Sequence, residues 1–182
     1  MSTIVKQLKD KKDYHQIKSW GKMTPEILEK EFPWFLKAKV RDAELDYDYE
    51  DRILIWKKGI WLNGTWHDGT WEEGTWWDGT WEDGIWEGGV WKNGTWSDGT
   101  WKGGLWINGY WKDGIWRKGN WYDGIWENGT WQKGTWHKGV WIKGTWKNGW
   151  WREGRWEDGT WEDGLWLQGT CKHKSGRPNI RK

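Results

Sequence analysis

The sequence predicts an all-β repeat protein: a right-handed quadrilateral β-solenoid of about six coils with a small α+β cap at its N-terminal end. Three observations carry this expectation. Trp recurs at every fifth position from Trp56 to Trp166, and Gly keeps the same beat from Gly59 to Gly169. Of 182 residues, 27 are Trp and 27 are Gly, while Val, Ile, Leu and Phe are scarce, so any interior has to be built from indole rather than from aliphatic side chains.

The unit reads Gly, then Thr or an aliphatic residue, then Trp, then two variable residues, as in GTWHD and GTWED. A strict short period over more than a hundred residues means one structural unit stacked many times. A continuous helix is excluded, because each Gly inside it would cost about 1 kcal/mol. The Gly-Thr-Trp triplet is therefore read as extended, with Gly and Trp facing inward and Thr facing solvent. The residue before each Gly is Asp, Asn or Gly in most repeats, types that tolerate positive φ, so the bend is assigned there. Four units per coil close a square with both inward positions buried. The alternative, a narrow antiparallel meander with hairpins at each Asp-Gly or Asn-Gly, leaves one Trp face in water.

The repeat over residues 56–170 resembles the pentapeptide-repeat β-solenoid family, with Gly and Trp at the places where that family carries a small residue and Leu or Phe. It departs in having Thr at positions such as Thr65, Thr70 and Thr75, where the family commonly has Asp or Asn. The string Gly-x-Trp-x-x-Gly is also similar to the middle of a MORN repeat, which is what supports the meander. In texture the chain looks like uncharacterised Trp-rich pentapeptide proteins of large tailed bacteriophages, a resemblance that implies a viral source and no activity.

Residues 1–55 are read as the capping segment. Thr24 and Pro25 suit the N-cap and first position of a helix that ends before Pro33. Ala43, Leu45, Tyr47 and Tyr49 alternate with acidic residues as in a half-buried strand, and a turn at 50–52 leads into Ile53. The first residues, with Ile4, Leu8, Tyr14 and Ile17, are read as a loose helix. Residues 171–182 form a basic tail, in which Cys171 takes a Trp slot.

Net charge is +2, too small to steer nucleic acid, and the basic tail is the one segment suited to phosphate. Residues 57–104 are net acidic and residues 105–154 net basic, which favours head-to-tail or antiparallel self-association. One cysteine permits no intrachain disulfide, and the histidines have no metal-ligand spacing. No run approaches the apolar length of a signal peptide or membrane helix, so a cytoplasmic protein, in a host cell or virion if viral, is expected. No cofactor, catalytic group or small-molecule substrate is implied.

The expected function is a non-enzymatic structural or protein-interaction scaffold. On a square coil Ile85, Leu105, Ile125 and Leu165 fall on one face, with Ile107 and Leu167 beside them, and form a candidate docking or dimer face. Trp77, Tyr110, Tyr122 and Trp150 are candidate outer aromatics. The alternative is a carbohydrate- or nucleobase-stacking module using exposed Trp. Perfect register argues for the scaffold, since a ligand site needs a few indoles and a solenoid core needs all of them. Trp106→Ala should cost about 3–5 kcal/mol in denaturant unfolding, whereas Trp77→Ala should be nearly silent; equal damage from both would refute the division into inward and outward Trp.

Overall fold

In a computed structural model, which describes residues 15–172, the chain is a parallel β-solenoid of about eight coils preceded by one small helix and three longer strands. The order is β1 (His15–Ser19), α1 (Pro25–Glu31), a 3-10 turn (Phe35–Lys37), β2 (Lys39–Asp48) and β3 (Ile53–Asn63). Two-residue strands β4 to β25 follow, from Thr65–Trp66 to Thr170–Cys171. Residues Ile4, Leu8 and Tyr14 and the tail from residue 173 onward lie outside the described residues. Ile17, expected in a helix, lies in β1.

The stacked pairing is parallel, which removes the antiparallel meander; among the described residues only β2 and β3 pair antiparallel. Each coil holds three pentapeptides, not four. Thr65 pairs with Thr80, Thr80 with Thr95, and Trp61 with Trp76, a register of fifteen residues throughout. The reason lies in the shape of indole. Successive Trp along the chain meet edge to face, with centroids 5.7–6.2 Å apart and planes at 69–79°. Three rings in this arrangement fill a triangular cross-section.

Along the axis, each Trp stacks face to face on the Trp of the next coil, 4.6–5.2 Å between centroids and 4–7° between planes. Three columns result. The first runs from Trp56 to Trp161, the second from Trp61 to Trp166 and the third from Trp66 to Trp156, where Cys171 takes the next slot. The three corresponding β-walls are named wall 1, wall 2 and wall 3 after these columns. All but the last few rings are wholly buried. The backbone ladder is equally regular: Thr80 N–H donates to Gly64 C=O, and Glu82 N–H to Trp66 C=O.

Glycine serves a different purpose from the one expected. It takes the bend itself, at φ of +108 to +135° from Gly59 to Gly169. Among the described residues only Asp42 and Arg52 combine a side chain with positive φ, so the Asp and Asn before the glycines are not the bending residues. Their carboxylates and amides instead accept the following Gly N–H, as Asp68 Oδ1 does from Gly69 at 2.6 Å. A Cβ on Gly119 would stand 2.5 Å from Gly104 C=O, so glycine sets the closeness of the coils.

The segment before the repeat closes the first coil. Thr24 accepts from Ile27 N–H at 3.2 Å, Pro25 opens the helix and Phe32 ends it, as the sequence predicts. Beyond it, Trp34 meets Trp66 at 5.3 Å and Phe35 meets Trp61 at 5.8 Å, which covers the bottoms of columns that would otherwise face water. Antiparallel pairing of β2 along β3 satisfies the lower backbone edge of the first coil. Tyr47 donates to Glu31 at 2.6 Å and Arg52 to the same carboxylate at 2.8 Å, pinning the helix to the β2–β3 turn.

Gly88 and Gly89 adjoin in sequence but differ in demand. A Cβ at Gly88 meets nothing closer than Glu72 C=O at 3.7 Å, whereas at Gly89, with φ +108°, it falls 2.4 Å from Gly74 C=O. Gly88→Ala should change unfolding free energy by less than about 1 kcal/mol, toward stability. Gly89→Ala should cost about 3 kcal/mol or more, read by the same urea titration.

Candidate functional surface

With the indoles consumed by the core, chemistry is left to the residues on either side of each Trp. The fifteen-residue register distributes the expected docking stripe over three walls. Ile85 lies on wall 1 beside Thr70 and Thr100, Leu105 and Leu165 lie on wall 2, and Ile125 lies on wall 3 beside Tyr110 and Val140. Ile107 and Leu167 join Leu105 and Leu165 on wall 2. The stripe as drawn on a square coil does not exist, because the echo of twenty residues is not the coil length.

Three of the four expected outer aromatics share one wall, coils apart along it. Trp77, Tyr122 and Trp150 stand on wall 2 with exposures of 50%, 42% and 55%, and Leu167 at 54% closes the row. Tyr110 is elsewhere, on wall 3, half-buried and donating its hydroxyl to the Glu127 carboxylate. That carboxylate, with burial second, raises the Tyr110 phenol above its ordinary value.

Wall 2 also differs in charge. Its two outward rows, from Ile60 to Leu165 and from Leu62 to Leu167, hold no Asp or Glu. Walls 1 and 3 instead carry polar contacts between coils: the ion pairs of Lys57 with Glu72 at 2.6 Å and Lys102 with Glu87 at 2.7 Å, and the contact of His67 with Glu82 at 2.7 Å. On wall 2 the same one-coil spacing sets a cation and an imidazole against rings. Lys92 Nζ lies 5.2 Å from the Trp77 ring, and His137 stacks on Tyr122 at 4.3 Å with 6° between planes. Burial, then the neighbouring Arg152 charge, pushes His137 below its ordinary value of 6.5, which disfavours the charged form of the ring stacked on Tyr122.

Lys92, His137 and Arg152 were not singled out from sequence. The signal that could have found them is the lag of fifteen residues, visible in Asp68, Asp83, Asp98 and Asp113. No three His, Cys, Asp or Glu side chains gather into a metal-holding group among the described residues. In the cap, the Arg52 hydrogen bond and then that of Tyr47 hold Glu31 below the usual carboxylate range, which an ion pair explains without chemistry.

Because the folded chain binds a proton at His137 less readily than the unfolded chain does, the unfolded state holds more protons just below pH 6.5. Stability should therefore fall as pH drops through that window and be complete above it. The difference between wild type and His137→Gln, followed by thermal unfolding across the window, should show this slope; parallel curves would remove it. Comparison with protein-family models, with curated proteins and with solved structures finds no match to this chain.

Proposed function

We propose that the chain is a non-enzymatic scaffold that holds wall 2 flat and rigid as a docking surface for a protein partner or for a second copy. The observation that carries this reading is that Trp77, Tyr122 and Trp150 share the one wall whose two rows flanking the Trp column hold no Asp or Glu, with Lys92 and Arg152 in the same rows. Trp, Tyr and Arg are the residues that dominate protein interfaces when desolvated. A stacked solenoid presents them on a backbone that does not need ordering on contact, which lowers the entropic cost of association. The net acidic stretch over residues 57–104 and the net basic stretch over residues 105–154 favour a second copy laid antiparallel.

A second reading, a carbohydrate- or nucleobase-stacking module, draws on the same three exposed rings. The resemblance to Trp-rich repeat proteins of tailed bacteriophages supports placing the scaffold in an infected cell's cytoplasm or in the virion. Contact with nucleic acid is proposed only for the basic tail.

The test sets wall against wall. Trp77→Ser with Trp150→Ser should abolish both self-association in sedimentation velocity and specific partner capture, while Ile85→Ser with Ile115→Ser on wall 1 should leave them intact. Equal behaviour of the two variants would refute wall 2 as the docking surface. Chemical-shift changes at Trp77 and Trp150 with oligosaccharide or oligonucleotide, and no protein partner, would favour the second reading.

A further inference from the structure

Indole and phenol are the aromatic side chains that most readily surrender one electron, and here the indoles are not isolated. Each ring in a column overlaps the next at close to 4.8 Å and within 7° of parallel, and edge contacts such as Trp106 to Trp111 at 6.0 Å join the columns. The twenty-three rings form one connected aromatic network.

What usually stops a positive hole on indole is loss of the Nε1 proton, because the radical cation is far more acidic than the neutral ring. Seventeen of these indole N–H groups are buried away from solvent without any hydrogen-bond partner. For Trp111, Trp136 and Trp151 the partner is a backbone carbonyl, at 3.1–3.2 Å, which does not take the proton away. No carboxylate or imidazole accepts from these seventeen groups, so a hole within the stack remains a cation and remains free to move.

The network has entrances and an end. Trp77 and Trp150, both about half exposed, adjoin Trp76 and Trp151 of the second column. Tyr110 adjoins Trp111 of the third column and donates its hydroxyl to Glu127, a base already in place for the phenolic proton. Tyr47 makes a similar bond to Glu31, but that carboxylate is ion-paired with Arg52 and is a weaker proton acceptor.

We propose that the indole columns are a one-electron relay whose terminus is Tyr110 coupled to Glu127. A diffusible oxidant of the carbonate-radical class takes one electron from Trp77 or Trp150 and leaves as carbonate. The resulting indole radical cation is refilled by an electron from the adjoining ring, and the hole moves inward. When Trp111 carries the hole, Tyr110 supplies the electron and its phenolic proton crosses to Glu127. The products are a neutral phenoxyl radical, a neutral indole and a protonated carboxyl group.

Cys171 is the one cysteine of the chain and stands beyond Trp156 at the end of the third column, four coils from Trp111. A ruthenium polypyridyl complex attached there, and oxidised by flash and quench, delivers a hole to that end, with folding of the labelled chain checked by circular dichroism. A phenoxyl signal in transient absorption and electron paramagnetic resonance is expected. It should be lost in Tyr110→Phe and retained in Tyr122→Phe, and Glu127→Gln should leave a long-lived indole radical instead. A folded labelled chain with no phenoxyl signal, or a phenoxyl signal that survives Tyr110→Phe, would overturn the relay. Neither result bears on whether wall 2 binds a partner.

Discussion

The fold rests on a match between two lengths. Parallel strands pair at about 4.8 Å, and stacked indoles in this chain repeat at 4.6–5.2 Å. One rise per coil therefore satisfies the backbone ladder and the ring stack together, so neither has to be distorted to suit the other. An aliphatic interior would reach comparable burial only by interdigitating different side chains at different levels. Indole allows every level to be the same, which is why the repeat tolerates no exception between Trp56 and Trp166. Glycine is the second half of the same constraint: the backbone approach that brings rings into stacking distance leaves no room for a Cβ at the bend.

Much of this was legible in the chain because the core is made of one residue type on one beat. The solenoid, the buried indoles, the helix begun by Thr24 and Pro25 and the alternating strand through Ala43 and Leu45 all follow from local rules of periodicity and capping. The number of units per coil did not follow, because a perfect five-residue repeat looks identical whether three or four units close the ring. Only outward residues distinguish the two, and most face solvent without being obliged to echo their neighbours. The lag of fifteen survives where a side chain depends on the coil below, as Lys57 does on Glu72 and Asn128 on Asp113. The bend was placed one residue early for a related reason: Asp and Asn are turn formers both by adopting positive φ and by accepting a nearby N–H, and sequence does not say which. Here they accept, and Gly bends.

The same logic separates the walls. Since each outward side chain has its lateral neighbours one coil above and below, a row is a one-dimensional sequence of contacts that can be written independently of the core. Rows on walls 1 and 3 place acids one coil from Lys57, Lys102 and Lys172, and exposed pairs of this sort add little stability. The two rows flanking the Trp column on wall 2 hold rings and cations and no acid. A row whose charges are paired within itself has less to offer a partner than one that holds rings and unopposed cations.

There remains the question of why the core is Trp when Phe would also stack. The indole N–H is a liability in a dry interior, since an unpaired buried donor costs about 1–3 kcal/mol. The three N–H groups that are bonded show where the others are aimed: Trp111 donates to the carbonyl of Asn128, Trp136 to that of Glu153 and Trp151 to that of Gln168. In every case the acceptor lies seventeen residues ahead, just before the bending glycine of the next coil. Nε1 of Trp121, Trp131 and Trp146 likewise approaches the glycine that follows the equivalent carbonyl. At Trp111, Trp136 and Trp151 the indole thus ties the ring stack to the corner of the coil above it, while the seventeen unbonded N–H groups leave that tie unmade. Phe would fill less of the triangle and make no such tie at any level. The backbone ladder fixes one coil on the next, and these three bonds add a link from the interior to the bend.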